Sequence, residues 1–531
     1  MRKFLYILIA FSAALTVRLY PTFLSGLPFS TDAWSPVRNT ELLLEHTPIS
    51  LDSAVMDGYN CYWPANSLFG AVFSQVTGLK PIVAMATGVP LAAALTIPIF
   101  YALMYGVSGS RRLAFFSSFL LAAAYYPYAL FTSGVTKETY ANPLYMLSIL
   151  IFLRRREWMG MLLFAVASLA LVMAHHLTTL VAIAVLTSMT LASFIIRVWE
   201  GESLDRFSFL LTSILTAEAA LYFWLYAHRG FKISVTPSDL ISAASYQILA
   251  FAITLHLTFK PQKTSNRRAI LTSIASAAIT SLIVLLCIKR PIMPDAPTLP
   301  SHYILYTASF ILTSPLIVLG VGELRGAQGE NGYAPLFWLS ALVGLEAYAV
   351  FGDSPLGLTL AYRALNFLCI PLIIFSAFGL QRLYEARGHL QRAAATAALI
   401  TVAALNFYSV YASVSLQERY MGYFWLYRQP EYYAAAWIKG SAHDGTIAGD
   451  VKVSYMLKDY FGLNVNILQG LQYLTGKTGL KPQILFTYEQ NARNGYVVYG
   501  GYSLDLPEGW VERTLQLNLI YSNKAVCIYA G

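Results

Sequence analysis

The sequence predicts an all-α polytopic membrane protein of about 13 transmembrane helices with a small C-terminal α/β domain on the extracytoplasmic side. Three observations predict it. Of the 531 residues, 57% are apolar and only 12% charged, against roughly 25% charged in an ordinary soluble chain. Thirteen apolar runs reach or approach the roughly 20 residues that a helix needs to cross the hydrocarbon. After residue 417 the pattern changes to short β-rich runs separated by turn residues.

In chain order the expected spans are 4–20, 81–107, 113–131, 139–153, 158–173, 177–196, 207–227, 240–259, 269–288, 303–321, 335–351, 365–380 and 393–411. The fourth and fifth are short. The opening "MRKFLYILIAFSAALTV" has the basic and apolar regions of a secretory signal, but Arg18 and Tyr20 suit a cleavage site poorly, so it reads as an uncleaved anchor. With the N-terminus inside, the inner segments hold seventeen Lys and Arg and the short outer loops eight. The positive-inside rule therefore puts the N-terminus in the cytoplasm and the tail outside. The formal charge of +9 belongs to those inner loops and gives no reason to expect nucleic acid. Expected domains are 1–417, the membrane part with outer loop 21–80, and 418–531.

Two outer segments are more than connectors. In 21–80, the stretch from Trp34 to His46 mixes Val37, Leu42, Leu43 and Leu44 with charges, as an interfacial helix does. "YWPANSLFGAVFSQVTGL" follows, with Pro64 suited to a first turn and Leu68, Phe69, Val72, Phe73 and Val76 forming a stripe. In the tail, a helix over 430–439 precedes the strand-like runs "TIAGDV", "QILFTY", "YVVYGG", "LNLIYS" and "AVCIYA", with a hairpin turn at 522–524. Cys61 and Cys527, both outside in this topology, are either a pair or two thiols.

Chemistry-bearing residues gather at the outer helix ends. Asp32 lies about a dozen residues past the first span. Lys137 and Glu138 open the fourth, and His175 and His176 sit in the turn between the fifth and sixth. Asp353 precedes, and Arg363 begins, the twelfth. Charges at a bilayer boundary cost little, but between helices they are expensive and usually functional. Each also has a plain structural reading. Asp32 would be a solvated loop acid, and Glu138 a first-turn acid favoured by the helix dipole. The histidines would bond backbone, and Arg363 would snorkel. Glu218, His256 and Glu346 fall inside spans and raise the alternative of a transporter or lipid flippase. The absence of an internal repeat counts against it. P-loop, G-x-G-x-x-G, H-E-x-x-H and G-x-S-x-G patterns are missing, which removes ATP-driven transport and common hydrolase chemistry.

"STDAWSPVRNTELLLEHTPI" resembles the first outer loop of the catalytic subunit of oligosaccharyltransferase and its archaeal relatives. "YWPANSLFGAVFSQVTGL" is similar to the family's tyrosine-proline segment and second loop helix, and "SGVTKETYANPLY" to its second acidic motif. "YRALNFLCIPLIIFSAFGL" resembles its arginine-led late span, and "LNLIYSNKAVCIYAG" its closing hairpin. On these motifs the chain is identified as a member of the GT-C class of integral-membrane glycosyltransferases, with an archaeal cell membrane implied. Departures are visible. The Trp-Trp-Asp motif that reads the acceptor asparagine is replaced around "AAAWIKGSAHDGTIAGD". Of the second motif's two acids, only Glu138 remains beside Thr136 and Lys137. Relatives such as protein O-mannosyltransferases and lipid A aminoarabinose transferases use other acceptors.

The resemblance implies transfer of a sugar or oligosaccharide from a polyprenyl-phosphate or polyprenyl-diphosphate donor to a protein, lipid or glycan acceptor. Asp32 and Glu138 are the expected catalytic acids and tentative ligands of a divalent cation, Mg or Mn. Arg363, His175, His176 and Lys137 are expected at the donor phosphate, with Lys137 alternatively replacing the cation's charge. Trp34 and Arg38 would support the loop. A non-catalytic relative that binds lipid-linked glycans is a further alternative, since the second motif is depleted of acid.

Overall fold

Each of the thirteen apolar runs is helical, in whole or in large part, in the computed structural model, which describes residues 2–46, 56, 59–123, 125–154, 157–230, 236–259, 266–290, 298–324, 330–352, 357–386, 388–441, 445–499 and 502–531. The helices run α1 (Arg2–Ser25), α2 (Trp34–Glu45), α3 (Ala65–Thr77), α4 (Pro81–Ala94), α5 (Thr96–Ser108), α6 (Arg111–Ala123), α7 (Tyr126–Phe131), α8 (Lys137–Arg154) and α9 (Trp158–Ala174). They continue as α10 (His176–Glu200), α11 (Arg206–Leu225), α12 (Pro237–Phe259), α13 (Asn266–Lys289), α14 (Tyr303–Leu324), α15 (Glu330–Phe351), α16 (Gly357–Glu385), α17 (His389–Tyr411) and α18 (Gln429–Gly440). Among the described residues, ten helices are long and apolar enough to cross a membrane, with α4 and α5 forming one of them. The other three expected spans are shorter or more polar. The run 113–131 breaks into α6 and α7 near Tyr125, with Pro127 in the first turn of α7; α8 opens on Lys137 and Glu138; α9 has 17 residues. This is a multi-pass membrane protein.

The chain divides into two units. The first comprises Met1–Arg18, Leu91–Thr132 and Tyr140–Val410; the second comprises Leu19–Pro90, Ser133–Thr139 and Tyr411–Gly531. In the first, α14 and α16 touch backbone to backbone through small residues. A Cβ on Gly320 would fall 1.8 Å from the Phe375 carbonyl oxygen, and one on Gly379 would fall 2.0 Å from that of Leu316. Glycine is what permits this approach where lipid supplies no hydrophobic drive for helices to associate. Polar bonds add to it: Trp338 Nε1 donates to the Tyr145 hydroxyl at 2.8 Å, and Ser188 donates to the Phe337 carbonyl at 3.0 Å.

The second unit contains the tail. All five strand-like runs form strands, joined by two that periodicity did not reveal. They are β1 (Ile447–Ala448), β2 (Val465–Asn466), β3 (Ile484–Tyr488), β4 (Tyr496–Tyr499), β5 (Tyr502–Asp505), β6 (Asn518–Ser522) and β7 (Val526–Ala530). Five make a sheet in the order β2-β1-β3-β7-β6, and β4 pairs with β5. β1 is parallel to β2 and β3, while β7 is antiparallel to β3 and β6. The turn between β6 and β7 is the expected one. Lys524 takes a positive φ of 72°, and Asn523 Oδ1 accepts the amides of Ala525 and Val526. None of the four cysteines forms a disulfide, so Cys61 and Cys527 are two thiols.

The core of this unit is shared between the tail and the loop 21–80. Leu27 and Trp34 are buried in one cluster with Tyr427, Ile438, Phe486 and Ile528. Beside it Lys452 and Glu431 form an ion pair of 2.7 Å, 0% and 2% exposed, with the ammonium 4.6 Å from the Tyr488 ring. A buried pair of this kind tolerates the loss of neither partner.

Candidate active site

The loop bearing Asp32 is fixed on both sides. Ser30 adopts φ 96°, a region that L-residues rarely occupy. Its amide donates to the Trp425 carbonyl at 2.9 Å, and its hydroxyl accepts the Asp32 amide at 3.3 Å. The strained residue thus starts the short 3-10 turn Thr31–Ala33, which leaves Asp32 exposed. Trp34 follows, 0% exposed, with its ring 4.9 Å from Tyr427, 5.4 Å from Tyr460 and 6.2 Å from Tyr432. Farther along α2, Arg38 pairs with Glu41 at 3.1 Å and Glu45 at 3.7 Å, and the second Glu41 oxygen accepts the Tyr460 hydroxyl at 2.8 Å. A side chain at i+7 from Trp34 therefore reaches the same tyrosine, so both ends of the helix face are held.

The second motif is bonded into this loop. The Val135 amide donates to the Phe29 carbonyl at 2.8 Å. Two residues on, Lys137 Nζ donates to Asn60 Oδ1 at 2.5 Å, and Asn60 Nδ2 donates to Ser35 Oγ at 2.5 Å. Phe29 and Ser35 lie three residues on either side of Asp32, so segment 135–137 is bonded around the stretch that carries this acid. The Lys137 ammonium also sits 3.9 Å from the Tyr59 ring centroid and 5.5 Å from that of Trp63. Thr136 caps α8, accepting the Thr139 amide at 3.1 Å, which puts Glu138 in the first turn, only 5% exposed. There the helix dipole favours a carboxylate.

Within the second unit, then, Asp32, Trp34, Arg38, Lys137 and Glu138 belong to one bonded set of segments. His175, His176 and Arg363 belong to the first unit. His175 is 2% exposed and caps α10: its Nδ1 meets the Thr178 hydroxyl at 2.8 Å and the Thr178 amide at 3.4 Å. This is the plain structural role of a histidine in a tight turn, bonding to backbone. The His176 ring lies 4.9 Å from it. Arg363 is half-buried near the start of α16. Asp353 lies outside the described residues. Among the span acids, Glu218 in α11 accepts the Ser168 hydroxyl at 2.5 Å.

Sequence reasoning missed Asn60, Tyr59 and Glu41, whose roles depend on side chains far away in the chain. It also passed over Arg18, which is 0% exposed inside α1. Arg18 Nη1 donates to the Ala14 carbonyl, and its guanidinium lies 5.7 Å from the Tyr128 ring, whose hydroxyl donates to Asn142. The available signal was a lone arginine in an apolar run.

No protein-family model matches the chain, and no curated protein does. Solved structures do match. The archaeal oligosaccharyltransferase AglB from Archaeoglobus fulgidus, in complex with an inhibitory peptide and a dolichol-phosphate, superposes with a TM-score of 0.59 at 12% identity, over 93% of this chain and 70% of that one. The A. fulgidus oligosaccharyltransferase in complex with Zn and sulfate gives 0.59 and 12% over 99% and 73%. ArnT from Cupriavidus metallidurans in the apo state gives 0.52 and 11% over 100% and 98%. With its many helical spans and small C-terminal sheet superposing on these GT-C proteins over most of its length, the chain has the GT-C fold.

Proposed function

We propose that this chain is a membrane glycosyltransferase that moves a sugar or oligosaccharide from a polyprenyl-phosphate or polyprenyl-diphosphate carrier to an acceptor on the extracytoplasmic side. The observation that carries the reading is the bonding of the Lys137-Glu138 segment to the Asp32 loop at Phe29 and, through Asn60, at Ser35. Two motifs a hundred residues apart are built into one structure, with an exposed carboxylate between the anchors. The likeness to an oligosaccharyltransferase solved with a dolichol-phosphate supports the donor class. Nucleotide sugars are cytosolic, so a transferase acting outside needs a carrier of that kind. The excess of basic residues in the inner loops supports a cytoplasmic N-terminus and an outer tail.

In this reading the Asp32 carboxylate takes the acceptor's O–H or N–H proton as that heteroatom bonds to the anomeric carbon. The bond from that carbon to the phosphate oxygen breaks, and its electron pair leaves with the phosphate. The departing charge calls for a guanidinium fork suited to phosphate oxygens, and Arg363 is the residue proposed to supply one. Glu138, held at a helix start, fixes the second motif. His175 and His176 are proposed to assist at the donor by hydrogen bonding, His175 holding the start of α10.

The divalent ion implied by the resemblance fits poorly. Mg or Mn requires a near-octahedral shell of oxygen ligands. Among the described residues no three His, Cys, Asp or Glu side chains converge. Next to Glu138 in the chain stands a lysine whose ammonium is already seated on Asn60 and Tyr59. No step is therefore routed through a metal.

The test is transfer by the purified full-length protein in proteoliposomes, offered radiolabelled polyprenyl-phosphate and polyprenyl-diphosphate sugars with peptide, lipid and glycan acceptors. Label should move to an acceptor supplied on the face where the tail is accessible to protease. Movement of intact labelled carrier between leaflets, with no product from any donor, would instead favour a flippase.

A further inference from the structure

We propose that Arg18 is an anion-binding residue, and that the free edge of its guanidinium takes two oxygens of a phosphate carried on a membrane lipid. Arg18 stands in α1 after the apolar run from Phe4 to Val17. Ser25 ends that helix, about 10 Å farther along the axis at roughly 1.5 Å per residue. The side chain is 0% exposed and belongs to the first unit, as do the residues that hold it. Nη1 donates to the Ala14 carbonyl one turn back at 3.3 Å, and the guanidinium carbon lies 5.7 Å from the centre of the Tyr128 ring, within the range where an aromatic face holds a cation. Tyr128 is oriented in turn, since its hydroxyl donates to Asn142 Oδ1 at 3.2 Å.

The unfilled part of the guanidinium sets the chemistry of the ligand. Nε and Nη2 are both buried, and neither has a hydrogen-bond partner among the described residues. These two nitrogens form one edge of the planar group, with their N–H bonds side by side. That edge matches a pair of oxygens on one phosphorus or carbon, the bidentate pairing to which arginine is suited. No carboxylate pairs with Arg18 among the described residues. A buried charge without a counter-charge is costly, and an arginine inside a membrane-spanning helix usually serves a site. Its depth selects the kind of anion. One dissolved in water would have to shed its hydration to come this far into an apolar helix bundle. A phosphate on an apolar chain is already held at the bilayer boundary, so only the side chains closed over Arg18 must part for it. Polyprenyl phosphates and glycerophospholipids share this chemistry. Binding is all that the inference requires, so it goes beyond the transferase reading and is judged without turnover.

Two measurements on the purified full-length protein decide it. In the first, farnesyl phosphate and phosphatidylglycerol are titrated in separate arms against the protein in detergent micelles, with farnesol as the uncharged control, and bound lipid is counted by native mass spectrometry. Arg18→Lys keeps the charge but not the two-nitrogen edge. Its affinity for a phosphate lipid should fall by about tenfold to a hundredfold, the scale of one charge-assisted hydrogen bond, while farnesol binding stays the same. The arm that shows the loss names the source of the phosphate. Equal affinity of wild type and Arg18→Lys in both arms would overturn the proposal and leave Arg18 as a brace against Tyr128. The second measurement uses wild type alone, so it does not depend on a variant folding. Each lipid carries a diazirine close to its phosphate, and the photolabelled peptides are mapped. Label should appear on α1 around Arg18 or on α7 around Tyr128 and be competed by the same lipid without the diazirine. Competed label from neither probe at these segments would refute the site. If wild type transfers from no sugar donor, the transferase reading fails, while both binding measurements still judge Arg18.

Discussion

Asp450 illustrates what single residues contribute to the second unit. Its carboxylate is buried and accepts the Tyr488 hydroxyl at 2.5 Å, the Val498 amide at 2.9 Å and the Val453 amide at 3.2 Å. Burial pushes its pKa up, against the pull of Tyr488, the two amides and Lys452. The folded chain thus holds this proton more tightly than the unfolded one. The Asp450 contribution to stability is fully present below the ordinary aspartate value of about 3.9 and falls as pH rises through the raised one. The Tyr488 hydroxyl serves the charged form. Tyr488→Phe should cost about 1–3 kcal/mol at neutral pH by leaving a buried carboxylate short of a donor, and less in acid, where the group is protonated folded or unfolded. Thermal unfolding of both proteins at the two pH values checks this; equal losses would contradict it. Only the local cap to Val453 was within reach of the chain pattern, because the other two donors come from residues 38 and 48 positions away.

At the scale of elements, α2 holds the account together. Periodicity alone marked it as an interfacial helix, because Val37 and Leu43 alternate with charges at helical spacing. Its second role was hidden: Trp34 belongs to the tail's core, and Glu41 accepts from Tyr460 in the tail. Local pattern reports which face is apolar but not what covers it, so the loop and the tail looked like separate segments. Trp34→Ala should cost about 3–5 kcal/mol, as expected for an aromatic removed from a full core. Since the helix begins right after the turn that carries Asp32, kcat should fall more than donor affinity. Unfolding by tryptophan fluorescence and single-turnover transfer measure the two effects. A stable variant with unchanged kcat would show that α2 does not position the acid. The helices themselves were legible because apolar runs of roughly span length leave the backbone no other way to satisfy its bonds in lipid. The break near Tyr125 and the close approach at Gly320 and Gly379 were not, since both depend on packing between helices.

For the whole molecule, composition carried the reading farthest: a multi-pass membrane protein with a small C-terminal sheet. The site was legible only as a set of polar residues at helix ends. Asp32, Lys137 and Glu138 proved to lie on segments bonded to each other, whereas His175 serves as a helix cap. The account's central claim is that Asp32 takes the acceptor proton in a glycosyl transfer. Its most direct test is Asp32→Asn in single-turnover transfer from a labelled polyprenyl-phosphate sugar, with donor binding measured on the same samples. The account predicts retained donor binding and a transfer rate lower by at least about a hundredfold, the scale of general-base catalysis. Transfer at the wild-type rate by Asp32→Asn would contradict it.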